Sequence, residues 1–354
     1  MAKTEEIRSK QSARPDDCPA KTEEEKFSKG SPTNEKSSDN DLCTAISNLK
    51  VDDASCVSYK TKYQSTVEID DRKLKRGSLD NFHDNYKTVS KIFENEDCIV
   101  FLGEDKNSGC NVAIKRYECG DASDLEDIYL NEDGELEEYR VQNLAQCFQT
   151  EDCKAAVLGV SDWFVYDTYF VMVTDYEERF KHSLFDLTFD QAGAHFTEEK
   201  CKIIFKLILK LIVKLNNYDV YHLDVKPSNI LYDPSAREMR LLDFGHSIIA
   251  EVYDPCLEFH CGTNGLRTPQ QVEKSERFGR DVDLWGCAQV LYFCSQGDYA
   301  YEDDEEVLRK ELEFKVEVSE KCEDLIRKML SYDVEDRLTA REVLDHPWLK
   351  ESDV

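Results

Sequence analysis

Residues Tyr221 to Gly245 read YHLDVKPSNILYDPSAREMRLLDFG. His222, Asp224, Lys226 and Asn229 fall inside eight residues of this stretch, and Asp243-Phe244-Gly245 follows fourteen residues after Asn229. Two apolar runs of strand length, 229–232 and 239–242, lie either side of Asp233-Pro234-Ser235. Short apolar runs around a turn cluster predict a β-hairpin. The hairpin brings Asp224, Asn229 and Asp243 close together. A carboxylate, an ammonium, an amide and a second carboxylate then share one small site.

Such a set suits phosphoryl transfer, which needs a carboxylate toward a hydroxyl proton, oxygen ligands for Mg²⁺ and a cation beside the moving group. His-x-Asp-x-Lys-Pro-x-Asn followed by Asp-Phe-Gly resembles the catalytic core of the eukaryotic protein kinases. The resemblance spans about residues 86 to 350, and its last segments are most similar to the Pim and calcium/calmodulin-dependent groups. It implies a two-lobed α+β fold, with a small antiparallel sheet over a mainly helical lobe. The expected lobes are 86–175 and 176–350.

The resemblance also implies roles. Asp224 acts as base toward the substrate hydroxyl and Lys226 stabilises charge on the γ-phosphate. Asn229 and Asp243 hold Mg²⁺, with Mn²⁺ as the alternative ion. Lys115, closing Val112-Ala113-Ile114-Lys115, holds the α- and β-phosphates of ATP. A helix over about 134–148 supplies a glutamate to pair with Lys115. Glu137 is preferred because Val141, Leu144 and Phe148 follow it at helical spacing, and Glu138 is the alternative. Ile92, Val100, Ala113 and Leu231 are the apolar contacts of adenine. Thr174 is the gatekeeper, and the backbones of Asp175 and Glu177 bond the base. Lys226, together with Thr263 in Gly262-Thr263-Asn264-Gly265-Leu266-Arg267-Thr268-Pro269-Gln270, indicates serine/threonine rather than tyrosine substrates. Thr263 is expected to hydrogen-bond Asp224 and Lys226, and Asp281 to anchor the backbone of the catalytic loop.

The chain departs from the family pattern at four places. Phe93, Asn95 and Cys98 stand where glycines let backbone N–H groups approach the phosphates, and Glu94, Glu96 and Asp97 make that loop acidic. A carboxylate about 6 Å from a phosphate charge costs up to about 3 kcal/mol at an effective dielectric of 20. Leu223 replaces the arginine that docks a phosphorylated activation segment, so activity should not need that switch. Ser228 replaces the glutamate with which many basophilic kinases read substrate arginine. Gln270 replaces a glutamate whose partner is Arg337. These departures leave a rival open: the same fold kept as a scaffold with weak or no transfer. A small-molecule phosphotransferase is a more distant alternative.

Composition bounds the rest. The 354 residues carry a net charge of −29 and 10% aromatic residues. Residues 81–354 hold 58 acidic and 30 basic side chains, so the excess charge lies in the part that should fold. An acidic surface excludes non-specific nucleic-acid binding and favours basic protein substrates. Fourteen cysteines without a CxxC pair, behind a polar N-terminus, read as free thiols of an intracellular chain, cytoplasmic or nuclear. Lys206, Lys210 and Lys214 interrupt the longest apolar run, Ile203 to Leu215, which argues against a membrane span. With Lys202 they form an i+4 stripe, expected to be the wet face of a core helix that Thr197 caps. Residues 1–80 are polar and aperiodic and are expected to be disordered. Ser78 after Arg72-Lys73-Leu74-Lys75-Arg76-Gly77 offers a phosphorylation site or a weak nuclear address, against the plainer reading of a solvated charge run. No regulatory partner is indicated, and one is left open.

Overall fold

The computed structural model describes residues 79–94, 98–118, 137–146, 154–166, 169–249, 262–273, 280–309 and 312–350. The 1–80 expectation, the Ser78 cluster, and Asn95, Glu96 and Asp97 of the acidic loop lie outside these residues, apart from the backbone of 79 and 80.

A short helix α1 (Leu79–Asn85) leads into strands β1 (Tyr86–Glu94), β2 (Cys98–Asp105) and β3 (Asn111–Glu118). After helix α2 (Glu137–Gln146) come β4 (Ala155–Val157), β5 (Val160–Val165) and β6 (Tyr169–Asp175). Five of these strands form one antiparallel sheet in the order β1-β2-β3-β6-β5. Leu158 and Gly159 separate β4 from β5 and belong to neither strand.

Register sorts the sheet into two faces, since residues directly opposite on antiparallel strands share a face and alternate along each strand. Val100 pairs with Lys115, Lys115 with Met172, and Ala113 with Thr174. These residues therefore line one face. Val112, Ile114, Val171 and Val173 line the other, where they pack with Phe82, Tyr86 and Phe164. Phe82 of α1 meets Phe164 edge to face at 5.3 Å, so α1 closes the back of the sheet.

The remaining chain is mainly helical. It comprises α3 (Leu184–Phe189), α4 (Glu198–Asn216), α5 (Pro269–Val272), α6 (Arg280–Gln296), α7 (Asp304–Arg309), α8 (Glu320–Met329), α9 (Ala340–Asp345) and α10 (Pro347–Lys350). Strands β7 (Val220–Tyr221), β8 (Ile230–Asp233), β9 (Glu238–Leu241) and β10 (Ile248–Ile249) lie among them. The 229–242 stretch is the hairpin read from the sequence, with Ile230 opposite Leu241 and Tyr232 opposite Met239. Its β9 also takes β4 as a parallel neighbour.

α4 and α6 pack on each other at the centre of the main core, with Trp285 and Phe205 each at 1% exposure or less. A fully buried side chain of this size contributes about 2–3 kcal/mol through removal of apolar surface from water. Thr197 caps α4, accepting from Lys200 N. The lysine stripe on α4 is not a wet face: Lys206 and Lys210 keep only 4% and 5% exposure. α4 has α6, β4, β7 and β9 as neighbours, which leaves little open circumference. The six described cysteines are free thiols. No helix among the described residues is long and apolar enough to cross a membrane.

Candidate active site

Three backbone devices shape the segment that carries the polar cluster. Asp283, fully buried on α6, accepts from His222 N at 3.0 Å and Leu223 N at 2.8 Å. It also accepts from Asn216 Nδ2 at 2.7 Å. This corrects the expectation for Asp281, which pairs instead with Arg337 at 3.3 Å. Two residues along a helix turn the side chain by about 200°, so only one of the two aspartates can face the loop. Gly286 then lets α6 approach closely, since a Cβ there would lie 2.7 Å from Val225 O. Finally, Leu223 and Asp243 adopt φ of +62° and +63°, left-handed conformations costly for these residue types. Asp243 is thereby turned toward Lys115.

The polar groups converge as a closed network. Asp224, at 5% exposure, accepts from Thr263 Oγ1 at 2.7 Å and pairs with Lys226 Nζ at 2.7 Å. Lys226 also donates to Thr263 Oγ1 at 2.7 Å, so Thr263 bridges both, as expected from the sequence. Asn229 Nδ2 donates to Asp224 O at 2.9 Å and to Asp224 Oδ2 at 3.2 Å. Its Nδ2 is therefore committed, which leaves Oδ1 as the end suited to a hard cation. Burial pushes the Asp224 carboxyl up, but the Lys226 charge and the bonds from Lys226 and Thr263 outweigh it and hold the group below the usual range. Asp224 is ionised at neutral pH. His222 has a structural role: its Nε2 lies 2.8 Å from Leu242 O and its ring meets Phe244 edge to face at 4.8 Å.

Across the cleft, Lys115 Nζ lies 2.8 Å from Asp243 Oδ1 and 3.4 Å from Glu138 Oε1. The helix glutamate is therefore Glu138. The side chain of Glu137, the residue preferred from the sequence, lies outside the described residues. The buried positions of α2 are Glu138, Tyr139, Val141, Gln142 and Ala145. Gln142, at 1% exposure, occupies a core position by donating to Leu158 O, and this polar member shifts the apolar phase by one residue. Burial pushes the Glu138 carboxyl up, Lys115 opposes this and Asp243 adds to it, leaving the group at about 7. For Asp243, burial acts upward too, but Lys115 dominates and holds it far down. Because the folded-state value of Glu138 lies above its ordinary 4.5, its contribution to stability is full below that pH and is lost as pH rises through 7. Glu138→Gln is expected to match the parent in urea stability at pH 5 and to exceed it by about 2–3 kcal/mol at pH 8.5. A variant less stable at pH 8.5 would contradict that assignment.

The residues expected around adenine lie in two settings. Val100, Ala113 and Thr174 share the cleft face of the sheet with Lys115, and Thr174 is buried. Leu231 lies on β8, bridged to Ser183. Ile92, next to a register shift in β1, is 46% exposed, so β1 covers the cleft loosely. Asp175 N donates to Gly159 O at 2.8 Å, which ties the start of the hinge to the segment before β5. The Glu177 carboxylate takes Arg179 Nε at 2.9 Å and Arg240 Nη2 at 3.3 Å, pinning the hinge to β9. Gln270 Oε1 accepts from Arg337 Nη2 at 2.7 Å while its Nε2 donates to Tyr332 O at 2.8 Å. Both ends of that amide are used. Gln270→Glu would set a carboxylate against the Tyr332 carbonyl, and is expected to change urea stability by less than about 1 kcal/mol. A gain above 2 kcal/mol would contradict this.

Sequence reading did not single out Asp283, Tyr117 or the side chain of Glu177. Tyr117 OH donates to Glu138 Oε1 at 2.9 Å. An aromatic residue in a strand reads as core, and only its place two residues past Lys115 could have marked it.

Comparison with known proteins converges on this geometry. The protein kinase domain family model matches residues 86–349. Calcium-dependent protein kinase 19 of Arabidopsis thaliana is 31% identical over 173 residues, covering 44% of this chain and 30% of that protein. Calcium-dependent protein kinase 21 of Oryza sativa subsp. japonica is 31% identical over 174 residues, with 46% and 30% covered. The chain therefore aligns with about a third of the length of these relatives. Among solved structures, the Cydia pomonella Granulovirus kinase matches with a TM-score of 0.60 at 21% identity, covering 77% of this chain and 97% of that one. That likeness bears on the fold, a two-lobed α+β arrangement.

Proposed function

Because the chain belongs to the protein kinase domain family, we propose that it is a serine/threonine protein kinase, transferring the γ-phosphoryl group of ATP to hydroxyls of proteins. The observation that carries this reading is the closed contact set of Asp224, Lys226 and Thr263, with Asn229 and Asp243 alongside. The kinase domain runs from 86 to 350, with lobes 86–175 and 176–350.

The ionised Asp224 orients the incoming hydroxyl and takes its proton as the oxygen bonds to the γ-phosphorus and the bond to the ADP oxygen breaks. Lys226 neutralises charge gathering on the transferred group. Lys115, fixed by Glu138 and Asp243, holds the other phosphates. Asn229 Oδ1 and the Asp243 carboxylate are hard oxygen donors that fit Mg²⁺, with Mn²⁺ as the alternative. The ion supplies charge screening between phosphates when bound. Val100, Ala113, Thr174 and Leu231, with the Asp175 and Glu177 backbones, form the adenine site. Retention of Lys115, Asp224, Asn229 and Asp243 supports transfer over a scaffold that retained only the fold. The acidic surface supports basic protein substrates inside the cell, and no nucleic-acid or membrane partner is proposed.

Acid hydrolysis of protein labelled from ATP is expected to yield phosphoserine and phosphothreonine. Label on tyrosine alone would overturn the specificity. Leu223 packs with Tyr221, Val282 and Ile248 where the family's arginine would dock a phosphate. Pretreatment with a broad-specificity phosphatase, then removed, is therefore expected to leave the transfer rate within about twofold. A tenfold loss would show that a phosphorylated residue drives activity after all.

A further inference from the structure

Lys115 and Tyr117 lie two apart on β3 and so point to the same face. That face meets α2. The Tyr117 ring stacks on Phe170 at 4.3 Å and 20°, and Phe170 is its directly opposed partner on β6. It packs against the cluster of Tyr139, Trp163, Phe170 and Met172 that seats α2 on the sheet. Lys115 Nζ sits 4.4 Å above the ring. From this fixed position the phenol donates to Glu138 Oε1 at 2.9 Å, the oxygen that also faces Lys115.

Glu138 therefore has two partners on β3, two residues apart in sequence and on one face. The same face of α2 is held further along: Gln142 and Gln146 both donate to Leu158 O, at 3.0 and 3.2 Å, tying the helix to the segment between β4 and β5. In protein kinases the lysine–glutamate pair has to be in place for transfer, and phosphorylation of the activation segment is one way of controlling it. In this chain Leu223 fills the position that would read such a phosphate.

We propose that Tyr117 is a positioning residue: its hydroxyl latches Glu138 of α2 against Lys115, holding the pair assembled without a signal from the activation segment. The inference rests on the kinase reading for its consequence on rate, but the latch itself is a property of β3 and α2. The hydroxyl makes the difference, because the ring would stay stacked on Phe170 without it.

A double-mutant cycle tests this on the full chain, with Tyr117→Phe, Glu138→Ala and the pair. Two quantities are read: the dissociation constant of N-methylanthraniloyl-ATP with Mg²⁺, and amide hydrogen exchange of residues 138–146. Tyr117→Phe is expected to weaken nucleotide binding about 3- to 10-fold and to speed exchange in α2 by a similar factor. In the Glu138→Ala background, where the acceptor of the hydroxyl is gone, the same change should alter either quantity by less than about twofold. Equal effects in both backgrounds, or none in the parent, would overturn the latch and leave Tyr117 as packing. If the parent binds nucleotide but transfers no phosphate, the kinase reading fails while the cycle still decides the latch. If it binds none, hydrogen exchange decides alone.

Discussion

Asp224→Asn is expected to lower phosphoryl transfer by about 10²- to 10⁴-fold, the range for loss of a positioned acid–base group, while Mg·ATP affinity stays within about twofold. The substitution keeps the shape of the side chain. The backbone carbonyl of residue 224 still accepts from Asn229, and one side-chain oxygen remains for Thr263. What disappears is the anion that takes the hydroxyl proton and pairs with Lys226 at 2.7 Å. In the proposed site the nucleotide is held by Lys115, Asp243 and the hinge, so the loss should fall on the rate rather than on binding. Single-turnover rates and nucleotide affinity measured on the same preparations separate the two. Equal turnover by the variant would remove Asp224 from the chemistry.

Asp283→Ala is expected to cost about 3–5 kcal/mol of stability, the scale seen when one partner of a buried charged group is deleted. Two backbone donors, His222 N and Leu223 N, would lose this acceptor at a site with no exposure, and Asn216 Nδ2 would keep only Val220 O. Each unsatisfied buried donor costs about 1–3 kcal/mol. Asp281→Ala is the contrasting case, because Arg337 keeps Gln270 and the Ser331 carbonyl when that carboxylate is removed. Its cost should be about 1 kcal/mol, because the Asp281 side chain keeps 27% exposure and Arg337, though buried, retains those other partners. Urea unfolding of both variants tells them apart. A larger loss for Asp281→Ala would return the anchoring role to that residue.

The catalytic loop was legible because its groups are close in sequence. Four of them lie between His222 and Asn229, and a hairpin with clear turn residues carries the chain to Asp243. The small antiparallel sheet was expected as well, from the resemblance to the kinase core. What the sequence hid depends on rotation about helices. Gln142 is a polar residue in the core of α2, so apolar spacing favoured Glu137 by one position. α6 is buried from Val282 to Gln296, so no apolar stripe could tell Asp281 from Asp283. Lys206 and Lys210 spelled a wet stripe, yet they are buried, since a side chain's charge says less than the elements that surround its helix. Tyr117 was invisible because the partner of its hydroxyl lies twenty-one residues away, on α2.

The central claim is transfer of phosphate by this cluster of residues, and the most direct measurement is radiolabel from ATP incorporated into a mixed serine and threonine peptide set. It should be run with Mg²⁺ and separately with Mn²⁺, beside Asp224→Asn and Lys115→Met. The predicted result is peptide label in the parent that falls to background in both variants. No label above the Asp224→Asn background, in a protein whose melting temperature Mg·ATP raises, would contradict the claim and leave a nucleotide-binding scaffold.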